Sequence, residues 1–131
     1  MSGLEQAICA AIQNQGDTAS VNKAYLEFIK ANFIIPIEKN TSETEPRALY
    51  FHTDNHVFLP VFSNMRDFEA WADPIKNDIQ ILKLSGVNLL KGLGEHTYVS
   101  LNIGSESYKE FNPSELTRMR NMILKLFGNP S

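Results

Sequence analysis

The fold class of this chain is decided by residues 47–62, RALYFHTDNHVFLPVF. Two largely apolar runs, 47–53 and 56–62, flank an Asp-Asn pair, and both of these residue types tolerate the left-handed backbone of a tight turn. The pattern predicts a β-hairpin that places Phe51 opposite Phe58 on one face. Because both faces of the hairpin are apolar, we expect two central strands that are covered on both sides.

Two amphipathic helices are predicted before this hairpin. Apolar residues at spacings of three and four predict a first helix over 4–13, and Gly16 suits its left-handed end. The same spacing recurs from Val21 to Ile29, with Ser20 as the expected N-cap and an end near Asn32. Two apolar stripes with a short break between them predict an antiparallel helix pair that packs on a larger layer.

A strand and a polar loop are predicted between the helices and the hairpin. Residues 33–37 are apolar, and Pro36 lacks the N–H that a central ladder needs, so we expect a strand at an edge or corner of the sheet. Residues 38–46 are polar and predict a mobile loop.

Short helices alternate with strands after the hairpin. Ser63 is the expected cap of one helix, which Asp73-Pro74 ends, and Ser85 is the expected cap of another, which Gly94 ends. The predicted elements are a helix at 64–72, a strand at 78–84, a helix after Ser85, a strand at 97–101, a polar loop at 102–107 and a strand at 108–111.

The last helix has the most complete end signals in the sequence. Asn112 supplies an N-cap, Pro113 the first helical position and Glu115 an acid at the third. The apolar stripe that follows is Leu116, Met119, Ile123, Leu126 and Phe127, before Gly128 and Pro130 end the helix. Together these elements predict one α+β domain over 1–131, with a mixed sheet of about five strands and helices packed on its faces.

Composition narrows the class of partner. The 131 residues include 12 basic and 15 acidic ones, a formal net charge of −3, which argues against binding nucleic acid or anionic lipid. No apolar run approaches the roughly 18 residues of a membrane span, and the start has no basic segment of a signal peptide. The single Cys9 excludes an internal disulfide framework. We therefore expect a cytoplasmic protein with no cofactor, no nucleic-acid partner and no membrane partner.

The residues that carry catalysis in other proteins form no motif here. In the predicted hairpin His56 pairs with Thr53, so His52 and His56 point to opposite faces and do not share a metal. Cys9 has no basic neighbour to activate a thiolate and is interpreted as a small, half-buried apolar residue. Without a phosphate loop or a nucleophile turn, we predict that the chain is not an enzyme.

The loop from Asn102 to Ser105 is the most unusual polar segment. It follows an apolar strand, and successive backbone amides around a glycine such as Gly104 can form a turn that binds an anion. An exposed aromatic residue, Trp71, is a further candidate for a contact surface. The predicted binding residues are Phe62, Ser63, Trp71, Asn102, Gly104 and Ser105.

Four sequence elements carry a resemblance to a known family. They are Leu59-Pro60-Val61-Phe62-Ser63, Asp67-Phe68-Glu69-Ala70-Trp71, Ser85-Gly86-Val87-Asn88-Leu89-Leu90 and Leu101-Asn102-Ile103-Gly104-Ser105. Their order and spacing from about Ala48 to Phe127 resemble the N-terminal domain of the bacterial SseB family, named for enhanced serine sensitivity, and the helical pair before them also fits. The family usually has a proline where this chain has Ile103, and its members often carry a second domain.

The resemblance implies a fold more than a reaction. We expect a stand-alone, bacterial relative that acts as a non-enzymatic module and binds another protein through the predicted residues. The alternative is a small-molecule or anion sensor that uses the 102–105 loop. A hydrolase or transferase with His52, His56 or His96 as its base is a third hypothesis, and secretion as an effector stays open.

Overall fold

Helices and strands are interspersed along the chain in the order of an α+β protein, which confirms the predicted class. The computed structural model describes residues 3–39, 47–53 and 55–127. The elements are α1 (Gly3–Gln13), α2 (Thr18–Lys30), β1 (Asn32–Glu38), β2 (Phe51–His52), β3 (Val57–Val61), α3 (Met65–Ala72), β4 (Ile79–Ser85), α4 (Gly86–Gly92), β5 (Thr97–Leu101), β6 (Lys109–Phe111) and α5 (Pro113–Phe127).

A short 3-10 helix, Asp73–Ile75, follows α3.

Three predictions lie outside the described residues: the mobile loop over most of its length, Asp54 of the hairpin turn, and the end of the last helix at Gly128 and Pro130. None of the helices in the described part of the chain has the length and apolar character needed to cross a bilayer.

The strands form a four-stranded sheet and a two-stranded ribbon. In the sheet the order is β2-β3-β5-β6, with β3 and β5 parallel and the other pairs antiparallel. The predicted hairpin register is confirmed, since Phe51 lies opposite Phe58. The expectation of two central strands was wrong for β2, which has two residues and lies at the end of the sheet.

The first half of the predicted hairpin is divided between two partners. Ala48 pairs with Ile37 of β1, and the Leu49 N–H donates to the Pro36 carbonyl at 3.0 Å, so this segment leaves β3 and joins the ribbon. Only Phe51 and His52 remain to pair with β3.

β1 lies where the ribbon meets the four-stranded sheet, in keeping with the edge or corner position that Pro36 predicts. It pairs with β4 along its whole length, from Asn32 opposite Ser85 to Glu38 opposite Ile79. On its other side Ile34 exchanges two backbone hydrogen bonds with Phe62, at 2.8 and 3.0 Å. The nitrogen of Pro36 faces this second side, where backbone bonds are sparse, so the missing N–H leaves the β4 ladder intact.

The main core lies where α2 and α5 cover the strands. Phe28 of α2 is fully buried, and the centroid of its ring lies 4.6 Å from that of Phe33 and 5.0 Å from that of Phe111. Burial of one such side chain contributes about 2 kcal/mol. A second cluster contains Ile34, Phe62, Phe68 and Ala72, with Trp71 packed against it. α1 and α2 provide the amphipathic pair that the stripes predict.

Some helix caps differ from the sequence prediction by a few residues. α2 is capped by Asp17, whose carboxylate accepts the Ser20 N–H at 2.7 Å, and Ser20 itself lies inside the helix. α3 is capped by Asn64 instead of Ser63. Both corrections have one cause: two cap-forming residue types lie close together, and sequence alone does not decide between them. Ser85 caps α4 as predicted, but this helix ends at Gly92 instead of Gly94.

Three apolar residues at the ends of helices are exposed. Met65 occupies the first position of α3 and is 38% exposed, and Ile12 lies in the last turn of α1 and is 53% exposed. Leu126 lies in the last turn of α5 and is 56% exposed, whereas Leu116 and Met119 of the same stripe are fully buried. The capping box of α5 is confirmed, because Asn112 Oδ1 accepts the Glu115 N–H at 2.9 Å.

Tyr25 of α2 links the core to the start of α5. Its hydroxyl donates to Glu115 Oε2 at 2.8 Å. Burial of the phenol raises the pKa of Tyr25 from 10.0 to about 12, and the hydrogen bond and negative charge of Glu115 act in the same direction. The folded protein therefore binds this proton more tightly than the unfolded chain does.

We expect the contribution of Tyr25 to stability to disappear at high pH. It is fully present below the pKa of the unfolded chain, 10.0, and is lost as the pH rises through the folded value of about 12. Urea unfolding of the wild type and of Tyr25→Phe at about pH 9 and about pH 12 measures this loss. The stability difference between the two proteins should shrink at the higher pH, and a constant difference would contradict the assignment.

Candidate functional site

The residues predicted to bind a partner do not all lie on one surface. Phe62 and Asn102 are fully buried, so neither side chain is available to a partner. Trp71 is half-buried, with ring centroids 5.3 Å from Phe62 and 5.7 Å from Phe51. The structure places Trp71 in the second core cluster and brings Asn102 together with Ser63, Gly104 and Ser105.

The side chain of Asn102 joins the ends of β3 and β5. Its Oδ1 accepts the Ser63 N–H at 2.9 Å, and its Nδ2 donates to Ser63 Oγ at 2.8 Å and to Ser107 Oγ at 3.1 Å. Its backbone N–H donates to the Val61 carbonyl at 2.9 Å. Asn102 has a φ of 53°, a left-handed conformation in which asparagine is among the least strained residues after glycine. Asn102 therefore holds the loop against β3.

The loop after β5 begins with a tight turn. The Ser105 N–H donates to the Asn102 carbonyl at 3.1 Å, and Gly104 has a φ of 87° at the third position of the turn. A positive φ at this position is typical of a type II turn, in which proline is favoured at the second position. Ile103 occupies that second position here, so the turn forms without the proline that is usual in the family the sequence resembles.

Glu5 of α1 is a buried acidic residue beside this loop. It is 5% exposed, and its Oε2 accepts hydrogen bonds from Ser63 Oγ at 2.7 Å and from Asn64 Nδ2 at 3.2 Å. The same Asn64 Nδ2 donates to Asp67 Oδ2 at 3.0 Å, so one amide bridges two carboxyl groups. Buried carboxylates are stabilised by such hydrogen bonds. The network fixes α1, the start of α3 and the loop after β5 in one arrangement.

These three segments surround a polar cleft of about 510 Å³, which we call the acidic cleft. It is lined by Glu5, Arg66, Asp67, Gly104, Ser105, Glu106 and Ser107. Three acidic residues against one arginine give the lining a formal charge of −2. Arg66 Nε lies 3.6 Å from Asp67 Oδ1, but the arginine side chain is 85% exposed. An exposed pair of this kind is weak, so the cleft keeps its acidic character.

The turn of this cleft was predicted from Gly104 and Ser105, but the acidic residues that line the cleft were not. Glu5 borders the apolar stripe of the first helix, one turn before Ile8, and this position was the available sign that it would be buried. Asp67 follows the capping residue Asn64 by three positions, a pattern that indicates a helix start and not a site. Glu106 and Ser107 lie in the predicted polar loop.

The three histidines lie outside the acidic cleft. His52 and His96 are exposed, and His56 stacks on Tyr98 at a centroid distance of 3.7 Å. His56 Nε2 lies 3.3 Å from Glu110 Oε2, and its Nδ1 lies 3.3 Å from Thr53 Oγ1. The Thr53 hydroxyl accepts the backbone N–H groups of Asn55 and His56, so its role is to close the hairpin turn.

Cys9 and the possible metal ligands complete the inventory of reactive groups. Cys9 is half-buried, as the sequence predicts, and its Sγ donates to the Glu106 carbonyl at 3.8 Å. Within residues 3–39, 47–53 and 55–127, no three histidine, cysteine or acidic side chains lie together as metal ligands.

Comparison with known proteins gives one match. The sequence model of the family described as the SseB protein N-terminal domain matches residues 4–118. The matched region begins in α1 and ends within α5, so it includes every residue of the acidic cleft. No curated protein and no solved structure matches the chain.

Proposed function

Because the chain belongs to the SseB family, we propose that it is a non-enzymatic protein-interaction module whose acidic cleft binds a basic segment of a partner protein. The observation that carries this proposal is that acidic, partly exposed side chains line the cleft, while the residues that hold its loop in place are buried. Loops held by a rigid scaffold are frequent binding surfaces.

The network behind the cleft supports a binding role because it preorganises the loop. Asn102 is fully buried, and Ser107 is 2% exposed. The Ser105 hydroxyl donates to the Asn102 carbonyl at 2.8 Å, which adds a second bond across the turn. A loop that is ordered before binding loses little conformational entropy when a partner arrives.

The charge of the lining determines which partner is favoured. Glu106 is exposed at the rim, and the Asp67 side chain is 12% exposed deeper in the cleft. A lysine or arginine side chain that enters between them meets carboxylates at two depths. Complementary charge increases the association rate and excludes acidic competitors.

The same lining disfavours the alternative of an anion sensor. The Ser105 N–H donates to the Asn102 carbonyl, and the Ser107 N–H donates to Ser105 Oγ at 3.2 Å. These amides are therefore engaged within the loop, and neighbouring carboxylates repel an anion. A hydrolase is also disfavoured, because the side-chain hydroxyl that contacts a histidine among the described residues is that of Thr53, which closes a turn.

Charge reversal at the rim of the cleft tests the proposal. We expect the protein to bind a fluorescein-labelled peptide of alternating lysine and glycine, and Glu106→Lys to weaken this binding about tenfold, as for loss of a favourable charge contact. Fluorescence anisotropy at physiological salt measures the dissociation constant. Because Glu106 is exposed, the free energy of unfolding measured in urea should change by less than about 0.5 kcal/mol.

The matched control is Glu95→Lys, which makes the same change in net charge. Glu95 is exposed in the turn before β5, whereas the cleft follows the other end of that five-residue strand. The two positions are therefore about 17 Å apart along the strand. Equal weakening by both variants would show an effect of net charge alone, and undetectable binding by the wild type would refute the proposal.

A further inference from the structure

The outer edge of β4 is the longest free strand edge in the described part of the chain. β4 has seven residues and pairs with β1 on one side, and no strand of residues 3–39, 47–53 or 55–127 pairs with it on the other. The terminal strands of the four-stranded sheet, β2 and β6, have two and three residues. β1 also has seven residues, but it is hydrogen-bonded on both sides.

The register of the ribbon shows which backbone groups face outward. Ile34 and Glu38 direct their N–H groups away from β4, to Phe62 and Arg47. The alternate residues of β1 therefore face β4 and meet residues 80, 82 and 84. It follows that Ile81 and Lys83 direct their N–H and C=O groups to the free side. Among the described residues, no backbone bond outside the strands uses these groups.

The side chains of these two residues determine what the edge selects. Ile81 is 40% exposed, and Lys83, which follows it on the same face, is exposed and has no ion-pair partner in the described ranges. A lysine on an edge strand protects against pairing with an uncharged or basic strand. An acidic residue directly opposite it is stabilising.

We propose that the outer edge of β4 accepts an extended segment of a partner protein that carries an acidic residue opposite Lys83 and an apolar residue opposite Ile81. Main-chain hydrogen bonds would supply affinity and the two side chains would supply specificity, as in other strand-addition complexes. This inference is independent of the acidic cleft, because it concerns a different surface and a partner segment of opposite charge.

A second copy of the chain fits this edge less well. Two-fold pairing of β4 with itself is antiparallel, and the outward-facing residues must pair with one another. In the registers that satisfy this condition, Lys83 faces Lys83, Ile81, Ile79 or Ser85 of the second copy. None of these residues carries a carboxylate, so the unpaired charge of Lys83 favours a different partner.

Two blocked heptapeptides, TITETIT and TITKTIT, test the proposal. Each is palindromic, so its central residue faces Lys83 and an isoleucine faces Ile81 in either strand direction. We expect TITETIT to slow amide hydrogen exchange of Ile81 and Lys83 and to bind about fivefold more tightly than TITKTIT. NMR of the full-length, isotope-labelled chain measures both, at concentrations where sedimentation shows the peptides to be monomeric.

The Lys83→Glu variant is the matched control. It keeps the strand and reverses the charge, so the preference should change from TITETIT to TITKTIT. An unchanged preference, or protection at amides elsewhere in the chain, would overturn the proposal. Protection of Ile81 and Lys83 that grows with protein concentration without peptide would also overturn it, because it would identify a second copy as the occupant.

Discussion

Replacement of Gly86 by alanine should destabilise the protein by about 3 kcal/mol. A Cβ at this position would lie 2.1 Å from the Phe28 carbonyl oxygen and 2.8 Å from that of Ile29. Both atoms belong to the backbone of α2, and the side chains of Phe28 and Ile29 are buried in the main core. The Gly86 N–H also donates to the Ala31 carbonyl at 2.8 Å, which holds the two segments in close contact. Relief of the clash therefore requires a shift of α2.

Gly92→Ala provides the comparison for this variant. Gly92 ends the same helix, and a Cβ there would meet no atom within 4 Å. Alanine at such a position should stabilise by about 0.5–1 kcal/mol, because it lowers the conformational entropy of the unfolded chain. Urea unfolding followed by circular dichroism measures both variants. Similar effects at Gly86 and Gly92 would show that close approach to α2 is not what requires glycine.

The second large effect is expected at Asn102, where alanine should also cost about 3 kcal/mol. The substitution removes the acceptor of the Ser63 N–H and a donor to Ser107 Oγ, both in the buried network. It also places alanine at a φ of 53°, which adds about 1 kcal/mol of backbone strain. The Asn102→Gly variant separates these causes, because glycine adopts this conformation without strain.

Chemical denaturation of the two Asn102 variants separates the cost of the lost hydrogen bonds from the cost of backbone strain. The free energy of unfolding of Asn102→Gly should be about 1 kcal/mol higher than that of Asn102→Ala and well below that of the wild type. The difference between Asn102→Gly and the wild type measures the contribution of the hydrogen-bond network. A loss of less than about 1 kcal/mol in Asn102→Ala would mean that water replaces the side chain, and that the loop is not held from behind.

Local chemistry made several elements predictable. The capping box Asn112-Glu115 and the register of Phe51 opposite Phe58 depend on residues close in sequence, and the structure confirms both. The neighbours of β1 depend on distant segments, since Ile34 bonds with Phe62, and no pattern near Pro36 reports this contact. Pro36 therefore predicted the position of β1 at an edge or corner of the sheet, but not which segments lie beside it.

The candidate site shows the same limit. Gly104 and Ser105 were identified from their turn chemistry, and the structure brings them to the acidic cleft. Glu5 bonds with Ser63, which is 58 positions away, and only the packing of α1 against the loop brings them together. Phe62 was predicted to bind a partner, but its apolar side chain is buried in the second core cluster. The degree of burial, and not the residue type, therefore distinguishes the residues that hold this site in place from those that line the cleft.

An NMR titration of the isotope-labelled protein with the lysine–glycine peptide tests the central claim most directly. If the acidic cleft is a binding surface, saturable shifts should be confined to amides of 64–67 and 103–107. Glu106→Lys should raise the peptide concentration at half-saturation about tenfold, and Glu95→Lys should leave it nearly unchanged. Shifts spread over the surface, or saturable shifts that persist unchanged in Glu106→Lys, would contradict it.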